Sequence, residues 1–532
     1  MKCRFPLLFA VLMTSTCSYA RPCDTQPIRL VFHKITTEKP CHPEFEYHGA
    51  IDAADRAVNE IISWKNISGC CRNGGSSSME DFGAFVLIPT LLVFILAVAT
   101  HRPIESLIAG SVVGLAMAHG SDFISGFADT TLRVMMDETV AWVILVCGFM
   151  GSLIALLIRT GATGAFTARM TQYVKSRQSS LMLTWVLGLF LFVDDYLNSL
   201  AVGSAMRSLT DKYKVSREML SYVVDSTAAP ISVIIPLSTW IIFFAALLED
   251  NGIAAEGEGV WTYVAAIPYM FYPWVAVLLV PLVIWGKIPA LGAMKKAETR
   301  AIETGVTVPP DAEHIEQANK SIVAKEGVTP RMSLFIVPML SLIVFTLYFE
   351  LDFLKGIYVS LGASLTFILV TKTLDMHDAF DTVIDGFKTM IEPLGVLVAA
   401  FILKDVNDVL GLAPFVIESI QPLMTPELLP ALIFVTMALV SFTTGSNWGV
   451  FVIVLPIVTA LSNNLQADMT LVIGATLSAS TFGSHACFYS DATVLTAQAS
   501  GCTPFQHAIT QIPYALIAAI ISIIGYLILG YS

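Results

Sequence analysis

Four short polar clusters interrupt long apolar stretches of this 532-residue chain. An ionised group at the centre of a bilayer costs about 2.5–3.5 kcal/mol on insertion scales, so a sequence keeps one there chiefly where it faces a cavity. The first cluster is Phe192-Val193-Asp194-Asp195-Tyr196-Leu197-Asn198-Ser199. Adjacent helical residues point about 100° apart, so a helical tip turns only one of the two acids toward an ion. We assign that role to Asp195, with Asn198 and Ser199 one turn on. Asp194 then caps a hairpin helix; the competing reading has both acids capping helices. The second cluster is Asp225-Ser226-Thr227-Ala228-Ala229-Pro230. Ser and Thr ahead of Pro signal a helix start. Within an apolar span this implies a break, with carbonyls freed to hold a cation beside Asp225. The third, Thr443-Thr444-Gly445-Ser446-Asn447, is polar but uncharged. Its hydroxyls, amide oxygen and carbonyls suit a hard cation. The fourth runs from Phe482 and Gly483 through His485 to Ser490, Asp491 and Thr493. Asp491 is a further intramembrane acid, and His485 is either a proton-carrying group or a hydrogen-bonded packing residue. Lys404, four residues before Asp408, is either its ion-pair partner or a charge coupled to the site.

The elements that must position these groups are membrane spans. Hydrophobic residues make up 55% of the chain and charged ones 14%, against about 25% charged in soluble domains. Mean hydropathy is +0.71. A soluble enzyme and a disordered chain are thereby excluded. The net charge of −12 argues against nucleic acid, whose phosphates need clustered Lys and Arg. Apolar segments of spanning length fall near 83–100, 104–119, 140–158, 218–248 and 261–285. A second group falls near 332–349, 355–371, 391–411, 467–500 and 508–530. Two more, 180–206 and 428–461, are interrupted near their middles and read as re-entrant hairpins. Such backbone is tolerated at membrane depth only when buried in protein or lining a cavity.

Arg159, Arg169, Lys175 and Arg177 mark one loop as cytoplasmic, and Arg207, Lys212, Lys214 and Arg217 another. Residues 286–331, with seven Lys or Arg, form a cytoplasmic linker between halves. The polar breaks recur at an offset near 250, and each half has five crossings. An odd number inverts the second half, which is the inverted-repeat plan of many secondary transporters. The expected fold is an all-α polytopic membrane protein of inverted repeats (83–285 and 332–532), each with a re-entrant hairpin and a discontinuous transmembrane helix.

Residues 1–20 read as a secretory signal: Lys2 and Arg4, a short apolar run, then Ser18-Tyr19-Ala20. An uncleaved anchor is the other reading. Residues 21–82 then lie outside the cytoplasm. Cys23, Cys41, Cys70 and Cys71 fall there, where disulfides form, with the pairing open. Asn66-Ile67-Ser68 is a glycosylation sequon.

From about residue 83 to 530 the chain resembles the NhaC-type sodium/proton antiporter family. The resemblance rests on Val193-Asp194-Asp195-Tyr196-Leu197-Asn198-Ser199-Leu200, on Asp211 to Glu218, on Tyr222-Val223-Val224-Asp225-Ser226-Thr227-Ala228-Ala229-Pro230, and on Ser490-Asp491-Ala492-Thr493. It implies sodium/proton exchange in the plasma (inner) membrane, organic-acid exchange in some relatives, and a body that is often a homodimer. Two departures stand out. The family commonly has Gly-Asp where this chain has Gly483-Ser484, and Ser-Pro where it has Phe488-Tyr489.

The function expected is therefore that of a secondary transporter, not an enzyme. Sodium and protons would compete at Asp195, Asp225 and Asp491, the transported sodium being the metal involved. Asn198, Ser226, Thr227, Thr444, Ser446 and Asn447 would serve as neutral ligands. No cofactor is expected beyond the transported ions. The alternatives are a proton- or sodium-coupled exchanger or symporter of malate- or lactate-like anions, held at half-helix N-termini, and a channel or sensor.

Overall fold

The computed structural model describes residues 82–100, 102–313, 315, 322–325, 327–445 and 448–532. The expected signal, the segment through residue 81 with Cys23, Cys41, Cys70 and Cys71, and Ser446 and Asn447 lie outside the described residues. Regular structure among the described residues is all helical. The first half runs α1 (Ile88–Thr100), α2 (Pro103–His119), α3 (Phe123–Met136) and α4 (Glu138–Arg159). It continues with short α5 (Ala162–Met170), a hairpin of α6 (Arg177–Phe190) and α7 (Asp195–Lys212), then α8 (Arg217–Asp225), α9 (Ala229–Ile234) and α10 (Thr239–Asp250). Helices α11 (Gly259–Ala266) and α12 (Phe271–Ile284) close it, and α13 (Gly292–Thr304) lies in the linker. The second half repeats the order: α14 (Ser333–Tyr348), α15 (Phe353–Val370), α16 (Met376–Lys388), α17 (Ile391–Leu410) and α18 (Leu412–Ile420). A hairpin of α19 (Leu429–Thr444) and α20 (Trp448–Leu465) follows, then α21 (Met469–Ala486), α22 (Asp491–Ser500) and α23 (Pro504–Gly530). Among the described residues six helical segments are long and apolar enough to cross a bilayer, and counting each of three bent pairs as one span brings the number to nine.

Local chemistry fixes the helix starts. Asp137 accepts the main-chain N–H of Thr139 at 2.8 Å ahead of α4, and Ser176 makes a reciprocal capping box with Ser179 ahead of α6. Gly161 and Gly411 open α5 and α18 with left-handed backbone, φ +71° and +76°, a region that glycine occupies without a Cβ penalty. They stand 250 residues apart.

The bent spans repeat more closely still. The axis turns by 42° between residue 234 and Thr239, and by 43° between Ala486 and Asp491. In each bend a serine hydroxyl donates to the carbonyl six residues earlier: Ser238 to Ser232 and Ser490 to Ser484, both at 2.5 Å. The two bends are 252 residues apart. The sequence reading put breaks near Pro230 and within residues 482–493; the helix is interrupted at both, and the 42° bend follows the first of them, at residues 235–238. Pro230 lies in the first turn of α9, where its missing N–H costs nothing. The chain is not continuous there, because a short turn at residues 226–228 separates α8 from α9. Gly483 sits within α21. A Cβ at that position would lie 2.2 Å from Ser441 Oγ, so glycine is needed for the close crossing of α19 and α21.

The halves exchange contacts in kind. Second hairpin arm α7 packs on α22 of the other half, where Thr496 Oγ1 donates to Ser199 Oγ at 2.8 Å. Its counterpart α20 packs on α10, Phe451 meeting Phe244 at 4.8 Å and Trp240 at 6.2 Å between ring centroids. The linker is more than a tether. Glu298 on α13 accepts from Ser216 N (3.1 Å) and Oγ (2.7 Å), and it pairs with Arg177. Arg300 grips Glu218 through both carboxylate oxygens at 3.0 and 2.9 Å. One linker helix therefore holds the starts of α6 and α8.

Candidate ion-binding site

Both hairpin tips and both bends converge, which brings the acids of the two halves together. Asp194 precedes α7 and caps it, accepting Leu197 N–H at 3.0 Å; its other oxygen accepts from Thr239 Oγ1 at 3.1 Å. That second bond ties the first hairpin to the bend beside it, as does the main-chain bond from Thr239 N to Val193 O at 3.0 Å. Asp195, in the first turn of α7, accepts from the Trp240 indole at 3.3 Å. Asp491 comes from the other half, at the start of α22. It accepts Ala492 N–H at 2.8 Å and the Tyr196 hydroxyl at 2.5 Å. All three carboxylates are buried, and Asp491 is within electrostatic reach of Asp194 and Asp195. Their hydrogen-bond donors are hydroxyls, an indole and main-chain amides.

Asp225 has a different environment. It ends α8 and accepts from His507 Nε2 at 3.0 Å and Gln511 Nε2 at 2.6 Å, both on α23. His485 Nε2 lies 4.0 Å from the same oxygen and 3.0 Å from Ser226 Oγ, and its Nδ1 is 2.7 Å from the Tyr272 hydroxyl. Gln511 also donates to the His485 carbonyl. Asp225 and Asp491 lie within electrostatic reach of each other. Two subsites result: three acids held by neutral donors, and one acid between imidazoles.

Asn198 joins these parts. Its amide donates to Gly188 O at 2.7 Å on the first hairpin arm and to Thr227 O at 2.6 Å in the turn after α8. The buried oxygens without a protein partner include Asn198 Oδ1, Asp225 Oδ1, Ser484 Oγ and Gln511 Oε1. Buried polar atoms normally find a partner, so these are open acceptors for water or a cation. The Thr227 hydroxyl is turned to Val223 O and Val224 O, both at 3.0 Å, and that of Thr444 to Val440 O at 2.9 Å. Thr444 and Gly445 nevertheless face Asp491 across a small chamber. Lys404 bonds Asp408 at 3.0 Å and lines another cavity with Arg133 and Asp405. The structure thus brings Asp194, Asp195 and Asp491 into one group and Asp225, Ser226 and His485 into a second, with Lys404 in neither.

Sequence reasoning missed His507, Gln511, Tyr272 and Trp240. Trp240 and Tyr272 are indistinguishable by type from packing aromatics. His507 and Gln511 did leave a signal, a polar pair at i, i+4 on one face of a 27-residue apolar helix.

Bent spans, paired hairpins and buried acids facing across two repeats define a multi-pass membrane transporter. The Na+/H+ antiporter family model matches residues 74–267 and 258–531. The chain belongs to that family. An uncharacterized protein of Haemophilus influenzae is 26% identical over 498 residues, covering 85% of this chain and 92% of that protein. Among solved structures, Neisseria gonorrhoeae MtrF, described as illuminating a class of antimetabolite efflux pumps, is 13% identical. It covers 85% of this chain and 96% of its own at a TM-score of 0.34, a likeness too loose to bear on the site.

Proposed function

We propose that the protein exchanges sodium for protons across the plasma (inner) membrane, with residues 21–82 outside the cytoplasm. The observation that carries this is the Tyr196–Asp491 bond, which closes three buried acids from two repeats into one group. Two or three carboxylates held only by neutral donors cannot all stay ionised and unpartnered in a dry site. They must take up protons or a metal cation, and each occupant excludes the other. Asp195 and Asp491 serve as the cation ligands, Asp194 as cap and electrostatic partner, and Tyr196 and Trp240 as positioning groups. Asp225, between His507 and His485, is the second group able to carry a proton. Either loaded form lets the hairpins and bent spans move against the remaining helices, and the empty ionised form does not.

An Arg or Lys beside the site would support the organic-anion alternative, and Lys404 is engaged by Asp408. Purified protein in liposomes with an internal pH dye tests the choice, with sodium, lithium, potassium, malate and lactate added in turn. Sodium-driven proton movement is the expected result. Proton movement driven by malate or lactate, and indifferent to sodium, would replace this reading with the alternative.

A further inference from the structure

One face of α17 lines three cavities in succession. Glu392, Pro393 and Val396 border a cavity of about 480 Å³. One turn on, Leu397, Ala400 and Phe401 border a chamber of about 10 Å³ whose other walls include Asp491, Tyr489 and Thr444. One turn further, Phe401, Lys404 and Asp405 border a cavity of about 290 Å³ with Arg133. These positions recur at three- and four-residue intervals, the spacing of a single helix face. Leu403 and Ala399, off that face, are buried in the core and line none of these three cavities.

Helix α22 gives the same order independently. Val494 and Gln498 line the 480 Å³ cavity, and Asp491, one turn before Val494, lines the chamber. The chamber is at the size that holds one water, roughly 10–15 Å³ by this measure. Val396, Leu397 and Val494 stand between it and the large cavity. Phe401 is common to the chamber and the 290 Å³ cavity.

The geometry points to a cation path along this face of α17, gated at Phe401 on one side of Asp491 and at Val396, Leu397 and Val494 on the other. It rests on Asp491 being a cation ligand. The larger mouth carries Asp311, which keeps one buried oxygen without a partner, and Glu392, beside an Arg102–Glu105 pair at 2.9 Å. At the smaller mouth Arg133 pairs with Asp405 at 2.7 Å and Lys404 with Asp408 at 3.0 Å, and Asp137 adds a further acid. Acids at both mouths attract cations.

Single cysteines in the full chain, in sealed vesicles, test the path with a positively charged, membrane-impermeant thiol reagent. Val396→Cys should react from one side only and Asp405→Cys from the other only. Ala400→Cys should react during turnover and be protected severalfold by saturating sodium; Leu397→Cys serves the same purpose if Ala400→Cys does not assemble. Ala399→Cys and Leu403→Cys should react no faster than the unsubstituted chain. Phe401→Ala should let a sodium gradient decay without matching proton movement. The path is overturned if the chamber cysteines stay unreactive from both sides while exchange continues, or if the control positions react as fast. Protection of Ala400→Cys by malate or lactate instead of sodium would keep the path and reject the sodium reading.

Discussion

Asn198 holds the first hairpin to the turn after α8, and its removal has a calculable cost. The side chain is buried, and its amide satisfies two main-chain carbonyls, Gly188 O at 2.7 Å and Thr227 O at 2.6 Å. A buried acceptor left without a partner costs about 1–3 kcal/mol. Gly188 O keeps a longer bond from Leu191 N at 3.3 Å, so its loss falls near the low end. Thr227 O lies in the turn at residues 226–228 and takes the upper end. Asn198→Ala should therefore destabilise the protein by about 3–4 kcal/mol. At about 2 cal/mol/K of unfolding entropy per residue, over the roughly 450 described residues, that lowers Tm by about 3–4 °C. Asn198→Ser, which keeps one donor, should lose about half as much. Thermal unfolding in detergent, followed by tryptophan fluorescence, reads the first effect, and sodium-driven exchange in liposomes reads the second. Exchange should fall further than stability does, because the hairpin and the turn would no longer move together. An Asn198→Ala protein that melts within a degree of the parent and exchanges at its rate would refute the argument.

Tyr196→Phe removes a bond to a carboxylate that is worth about 1.5–3 kcal/mol; the sodium concentration for half-maximal exchange should shift by roughly tenfold or more, and an unchanged value would remove Tyr196 from the site. Arg300→Ala strands the Glu218 carboxylate, 1% exposed, at a cost of about 3–5 kcal/mol. Arg300→Gln combined with Glu218→Gln should recover most of the lost thermal stability, and failure to recover would mean the pair is not what holds α13. Gly483→Ala forces a methyl to 2.2 Å from Ser441 Oγ; overpacking of this kind costs about 1–3 kcal/mol. Adding Ser441→Gly should recover only part of the melting temperature, because the Ser441 main-chain carbon still lies 2.8 Å from the added methyl.

Much of the fold was legible because lipid imposes a simple rule: backbone at membrane depth must bond within helices, so apolar run length locates spans. The hairpins, whose first arms end before residues 191–194 and at Gly445, fall where polar residues split runs too long for one helix. The amphipathic helices α3 and α16 were not legible that way. Asp129 and Arg133 in the first, and Asp378, Asp381 and Asp385 in the second, break the apolar runs that mark a span. The interruption before Pro230 and the one within residues 482–493 were legible, and the 42° bend at residues 235–238 was not, because Ser238, whose hydroxyl bonds Ser232 O there, is too common a residue type to announce a bend. Within the site, a carboxylate in an apolar span announces itself, so Asp194, Asp195, Asp225 and Asp491 were all visible. Which acid meets which depends on how the halves interleave, and one chain read in order does not contain that. The division into two subsites, with His507 and Gln511 beside Asp225, therefore appeared only in the structure.

The central claim is that sodium and protons compete for the same buried acids. Adding sodium to purified protein in weakly buffered solution, with proton release and sodium binding followed together, tests it most directly. The account predicts that sodium binding ejects protons from the parent chain, and that Asp195→Asn or Asp491→Asn abolishes both signals. Saturable sodium binding with no proton released would contradict it.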